Sequence, residues 1–198
     1  MNQKIIQQGA EAIISLKNNE ITKHRVKKGY RLPILDEKLR FRRTKSESKI
    51  ITKLKGIINV PEIINTDKEN IIMQHIKGKK LSEHLEKLDY KKISQQIGES
   101  LTKLHNQDII HGDLTTSNMI YKNKKLFLID FGLGFHSYKV EDKAVDMHLL
   151  KQALEAKHYK IAEECFKIIL KNYKPKQEQL IIERIPVIES RGRYKEKH

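Results

Sequence analysis

At 198 residues and 38% hydrophobic, the chain has room for one large domain or two small lobes around a lean core. Its formal net charge of +15 favours an anionic partner, such as nucleic acid, a nucleotide or an acidic membrane, although a lysine-rich composition that only follows the source genome explains the charge as well. The single cysteine, Cys165, excludes an internal disulfide, and the lack of a signal-peptide pattern or a bilayer-length apolar run gives the expectation of a soluble, cytoplasmic protein with no membrane partner.

Residues 4–8 read as a strand that Gly9 breaks. Residues 12–16 resume as a second strand, Asn18-Asn19 makes a turn, and residues 20–26 form a third. Three short antiparallel strands suit a lobe whose first turn lies over nucleotide phosphates. That turn holds one glycine where G-x-G-x-x-G is usual. The backbone of Gly9, Ala10, Glu11 and Ala12 is expected to face phosphate oxygens; a plain hairpin explains Gly9 equally. Lys23, on the third strand, is the candidate anchor for α- and β-phosphates, the alternative being one more solvated lysine.

A basic loop, 27–33, leads to helical character over 36–41 and to a second helix over 44–54, stopped at Lys55-Gly56. Glu47 has two readings. It pairs with Lys23, or it closes a capping box that starts at Thr44. Residues 60–64 and 71–75 add two strands, which brings the count to five, with one or two helices. The segment 76–78 is the natural hinge between lobes. An adenine edge would bond the backbone near Gln74, His75 and Ile76, with Met73 at the back of the pocket or simply in the core. Residues 81–88 form a short helix. Ile93, Ile97, Leu101 and Leu104 then mark a helix by their buried stripe.

The stretch 111–132 organises the chain. His111-Gly112-Asp113-Leu114-Thr115-Thr116-Ser117-Asn118 fits H-x-D-L-x-x-x-N, and Asp130-Phe131-Gly132 closes an apolar strand. Phosphoryl transfer needs a carboxylate near the attacking oxygen, here Asp113. It also needs oxygens that hold Mg²⁺ on the phosphates, here Asn118 and Asp130. The bland alternative is a surface hairpin with scattered polar residues. No A-P-E follows, so the platform for a peptide substrate is missing or rebuilt. Gly112 stands where H-R-D carries Arg, which argues against switching by a phosphorylated loop. Helical pattern resumes through Leu149, Leu150 and Leu154, followed by helices over about 159–172 and 176–190. Cys165 reads as a packed apolar group. In the tail, Arg191, Arg193, Lys195 and Lys197 alternate with Gly192 and Tyr194, a pattern that can track a phosphate backbone; a solvated, frayed end is the alternative.

Taken together, these residues resemble the KEOPS-complex kinases, the PRPK family of small atypical Ser/Thr kinases, in their stand-alone archaeal form. The marks are residues 9–12, Lys27-Lys28-Gly29-Tyr30-Arg31 with Pro33, Arg43-Thr44 with Glu47, residues 111–118, residues 130–134, residues 141–146 and Arg191-Gly192-Arg193-Tyr194. The resemblance implies an α+β, protein-kinase-like two-lobed fold: a five-stranded antiparallel N-lobe with a helix over 1–76, a reduced helical C-lobe over 77–190 and a basic tail over 191–198. It implies ATP and Mg²⁺ as cofactors, and ATPase and autokinase activity in the complex that makes threonylcarbamoyladenosine on transfer RNA. The partners implied are the threonylcarbamoyl-transferase subunit, a small regulatory subunit on the N-lobe, and transfer RNA. Asp113, Lys23 and Glu47 would be catalytic, and Asn118 and Asp130 would hold the metal. Two rival readings are a small-molecule phosphotransferase of the same fold, and a non-catalytic scaffold that presents basic surface to transfer RNA.

Overall fold

A computed structural model describes residues 4–9 and 11–193. Strands β1 (Lys4–Gln8), β2 (Ala12–Lys17) and β3 (Glu20–Arg25) form a meander. Its second turn is tight because Asn18 and Asn19 both adopt left-handed backbone angles (φ 49° and 65°), which asparagine tolerates and which match the twist of the flanking strands. Strands β4 (Ile63–Thr66) and β5 (Asn70–Gln74) complete an antiparallel sheet of order β1-β2-β3-β5-β4. The five expected strands are all present. β3 is the middle strand, with Lys23 opposite Ile14 on one side and Ile71 on the other. β4 starts later than the sequence suggests. Pro61 has no N–H to give to a ladder, so pairing begins at Ile63.

Between β3 and β4 runs one 22-residue helix, α1 (Pro33–Leu54), where the sequence suggested two. Pro33 opens it, a position that needs no N–H. Nothing between residues 41 and 44 breaks it. Thr44 is interior: its Oγ1 donates to the Arg40 carbonyl one turn back, at 2.9 Å. The capping-box reading of Glu47 therefore fails, because Thr44 caps no helix start. Asp36, buried in the first turn, accepts from the Lys28 N–H and from Arg40 Nε, fastening the basic loop to the helix.

The chain then crosses through β6 (Lys79–Lys80) into the short α2 (Leu81–His84), which a 3₁₀ turn extends. α3 (Tyr90–Asn106) is capped by Asp89, whose side chain accepts from the Lys92 N–H at 3.1 Å. Its stripe Ile93, Ile97, Leu101 and Leu104 is completely buried, as the spacing requires. β7 (Ile109–Ile110) pairs with β10 (Phe135–His136), and β8 (Met119–Lys122) with β9 (Lys125–Leu128) joins β6 in a three-stranded sheet. Gly78 is needed at that crossing, since a Cβ there would lie 2.5 Å from Ile120 Cγ2 and 2.7 Å from the Tyr121 carbonyl oxygen. Three helices finish the chain: α4 (Val140–Lys157), α5 (Ala162–Asn172) and α6 (Glu178–Arg193).

The core gathers the end of α1, the stripe of α3, the β8–β9 hairpin and the inner faces of α4 and α5. Cys165 is fully buried within it, and burial raises its thiol pKa, which suits a packing role. No helix among the described residues is long and apolar enough to cross a membrane. The expected tail begins as helix: α6 continues to Arg193, and the Arg191 guanidinium bonds Glu141 on α4. Lys195 and Lys197 lie outside the described residues, as does Ala10.

Candidate active site

A β-strand alternates its side chains, so Lys23 and Arg25 on β3 share one face of the sheet. Both are buried, and both meet Glu47 of α1, which is fully buried. Lys23 Nζ donates to Glu47 Oε1 at 2.7 Å and Arg25 Nη2 donates to Oε2 at 2.6 Å. Of the two readings of Glu47, the ion pair is the one the fold realises. Lys23 also donates to Asp130 Oδ1 at 2.6 Å, a contact that spans 107 residues of sequence. Burial works to lower the Lys23 pKa, but the charges of Glu47 and Asp130 outweigh it and hold the ammonium above its ordinary value. Burial likewise pushes the Asp130 carboxyl up, and the Lys23 charge overcomes it, so that carboxyl sits below its ordinary range. Both shifts keep the Lys23–Asp130 pair charged at neutral pH.

Asp130 follows β9 with φ 63°, a left-handed angle that Asp adopts more readily than bulkier residues. The turn aims its carboxylate at Lys23, and the Gly132 N–H donates to the same Oδ1 at 3.1 Å. A Cβ on Gly132 would stand 3.0 Å from that oxygen and 3.2 Å from Lys23 Nζ, so a side chain there would crowd the ion pair.

The catalytic-loop octet wraps against the same strand. His111 is fully buried; its Nε2 donates to the Ile129 carbonyl at 3.1 Å, and its Nδ1 accepts from the Asp113 N–H at 3.3 Å. Its ring lies 4.6 Å from that of Phe131. Burial, only partly opposed by Asp146, lowers its pKa and keeps it neutral, in agreement with one donating and one accepting nitrogen. Asn118 Nδ2 donates to the Asp113 carbonyl and to Asp113 Oδ2, both at 2.9 Å. The Ile129 N–H donates to the Asn118 carbonyl at 3.0 Å, which seats Asn118 beside the strand that ends in Asp130. Asp113 itself is exposed.

Sequence reasoning gave no role to two residues. Asp146, fully buried on α4, accepts the His111 N–H at 2.6 Å and the Gly112 N–H at 2.9 Å, and it meets His105 Nε2 at 3.3 Å. It holds the start of the loop in place. The available signal was a single carboxylate in register with Leu150 and Leu154, on the face that α4 buries. Arg25 is the other, and its signal was the two-residue spacing from Lys23.

A cavity of about 210 Å³ lies between the five-stranded and the three-stranded sheet. Ile14, Ile21 and Met73 line it from the large sheet, and Ile120 and Ile129 from the other side. Gln74, His75 and Ile76 form a wall, while Lys23, Glu47, Lys80 and Asp130 supply its charges. Facing apolar walls suit a flat ring, and the ammonium groups of Lys23 and Lys80 suit an anion. The N–H groups of Gln74 and His75 are given to Glu62 and Asn19, at 2.8 and 3.2 Å, which leaves Ile76 for an edge-on ligand. The first turn is closed by its own backbone. The Gly9 N–H donates to the Ala12 carbonyl at 2.9 Å, and the Glu11 carboxylate is held by Arg43 at 2.6 Å. Ile6 and Gln7 line the cavity, whereas Gly9, Glu11 and Ala12 do not.

Mg²⁺ takes hard oxygen donors and a few protein ligands, keeping the rest for phosphate and water. Asp130 Oδ2 and Asn118 Oδ1 accept no hydrogen bond among the described residues. These are two hard oxygens without partners on adjoining segments, and the donor set fits the ion.

A model of the RIO domain matches residues 4–135. KEOPS complex subunit Bud32 of Pyrococcus abyssi is 42% identical over 98% of this chain and 97% of its own. A probable bifunctional tRNA threonylcarbamoyladenosine biosynthesis protein of Methanothermobacter thermautotrophicus is 40% identical over 88% of this chain; the match spans 33% of that longer protein. Among solved structures, the Rio2 kinase–ADP/Mg²⁺–phosphoaspartate complex from Chaetomium thermophilum superposes with a TM-score of 0.63 and 14% identity, over 95% of this chain and 70% of that one. The fold is protein-kinase-like, α+β.

Proposed function

The chain belongs to the RIO-domain family and to the KEOPS kinases its sequence resembles, and on that premise we propose that it is the Mg-dependent ATPase and Ser/Thr autokinase of a KEOPS complex, supporting threonylcarbamoyladenosine synthesis on transfer RNA. Phosphotransferase chemistry is common to this family of kinase-like folds. The finer assignment is supported by one observation above all: the buried cluster in which Lys23 meets both Glu47 and Asp130 beside the apolar cavity.

In this reading the base of ATP lies between the isoleucine walls, with its edge at Ile76. Lys23 neutralises the α- and β-phosphates, and Glu47 orients Lys23. Asn118 and Asp130 would supply the oxygens that hold Mg²⁺, which would offset the charge of the phosphates. Asp113 orients the attacking oxygen, of water or of a Ser/Thr hydroxyl, and takes up its proton. Its carboxylate is prepared for this by Asn118, which holds Oδ2. Thr115 stands where a lysine often meets the γ-phosphate, so that charge is supplied from elsewhere. The partners in this reading are the threonylcarbamoyl-transferase subunit, a small regulatory subunit on the sheet-bearing lobe, and transfer RNA on the basic surface.

The test is ATP turnover with Mg²⁺, alone and with the transferase subunit and transfer RNA. Turnover should require Asp130 and should change on assembly. An Asp130→Ala variant that retained wild-type turnover would sink the assignment.

A further inference from the structure

Glu47 is fully buried and carries two cations rather than one. Lys23 has a second carboxylate to answer to, Asp130 at 2.6 Å. A phosphate that enters the cavity draws Lys23 toward itself. A lone Lys23 could not follow freely, because a buried carboxylate that loses its only cation is left as an unpaired interior charge. Arg25 removes that constraint. Its guanidinium lies 2.6 Å from Glu47 Oε2, the oxygen that Lys23 does not use. Arg25 is 4% exposed, is not part of the cavity wall, and its Nε has no hydrogen-bond partner among the described residues. Among the described residues Glu47 is its one charged partner. Its Nη2 also lies 3.5 Å from where a Gly132 Cβ would sit, so it borders the segment that follows Asp130.

We propose that Arg25 is a positioning residue for nucleotide binding: by keeping Glu47 neutralised, it frees Lys23 to turn from Asp130 to the phosphates. The inference rests on the reading of the cavity as a nucleotide site. It gives Arg25 no contact with the ligand; Arg25 acts only through Glu47.

The experiment is a double-mutant cycle on the full chain, with Mg-ADP affinity read by calorimetry and the nucleotide-free unfolding midpoint recorded alongside. Arg25→Met should weaken Mg-ADP binding about tenfold or more. The same substitution in a Glu47→Gln background should change affinity by no more than about twofold, because the buried charge it would orphan is gone. Undiminished affinity in Arg25→Met overturns the proposal, and so does an equal loss in both backgrounds. Should Arg25→Met fail to fold, Glu47→Gln and the double variant decide: equal affinities support the proposal and a tenfold gap overturns it. A wild-type chain that binds no Mg-ADP removes the nucleotide site itself, a different failure from a wild-type chain that binds while Arg25→Met binds equally well.

Discussion

Gly112 offers the sharpest test of how the loop is built. It stands where kinases carry Arg, and its φ is +78°. A left-handed angle costs an L residue about 1–2 kcal/mol relative to glycine. A Cβ at this position would also lie 2.4 Å from the Leu133 carbonyl oxygen and 3.0 Å from its carbonyl carbon. These are backbone atoms, so the segment leading into β10 must move away from β7. That motion pulls on the two N–H groups that Asp146 holds, at His111 and Gly112. Strain and displacement together place Gly112→Ala about 2–4 kcal/mol below the wild type. For a chain of this size that corresponds to a melting shift on the order of 5–15 °C. The assay is urea unfolding followed by circular dichroism, with Gly29→Ala as the control, since nothing lies within 4 Å of a Cβ at Gly29. The control should stay within about 0.5 kcal/mol of the wild type. A Gly112→Ala midpoint equal to that of the control would refute the reasoning.

Three further outcomes are expected. Burial holds the His111 and His158 imidazoles below the ordinary histidine range. The unfolded chain takes up protons there near pH 6.5 and the folded chain does so only at lower pH, so stability should fall as pH drops from about 7 to 5. Urea midpoints at the two ends of that window check this, and a midpoint that is flat or rises on acidification contradicts it. Tyr173→Phe removes the hydroxyl that lies 2.6 Å from the buried His105 Nδ1, and should cost about 1–3 kcal/mol in denaturant unfolding; a neutral result would mean that the pair does not hold His105. Lys23→Ala should weaken ADP binding at least tenfold by titration calorimetry, and unchanged affinity would take Lys23 out of the site.

What could be read in the sequence, and what could not, divides along physical lines. The α3 stripe was plain because one apolar period, from Ile93 to Leu104, fixes both the helix and its buried face. Lys23 was plain because strand count alone puts it on β3. Glu47 was ambiguous because the capping box and the ion pair use the same residue at the same spacing. The choice depends on where α1 begins, and Pro33 settles that eleven positions upstream of Thr44. The necessity of Gly112 and the grip of Asp146 were hidden. Each depends on a contact with a distant segment, Leu133 for the one and the catalytic loop itself for the other. At the first turn a lone glycine reads the same in a phosphate cradle and in a plain hairpin, and the Gly9–Ala12 hydrogen bond is compatible with both.

The most direct measurement is a crystal structure of the chain soaked with ADP and Mg²⁺. The expected result is a metal ion about 2.1 Å from oxygens of Asp130 and Asn118, with Lys23 turned from Asp130 to the phosphates. A metal bound elsewhere, with Lys23 still on Asp130 and the isoleucine-walled cavity empty, would contradict it.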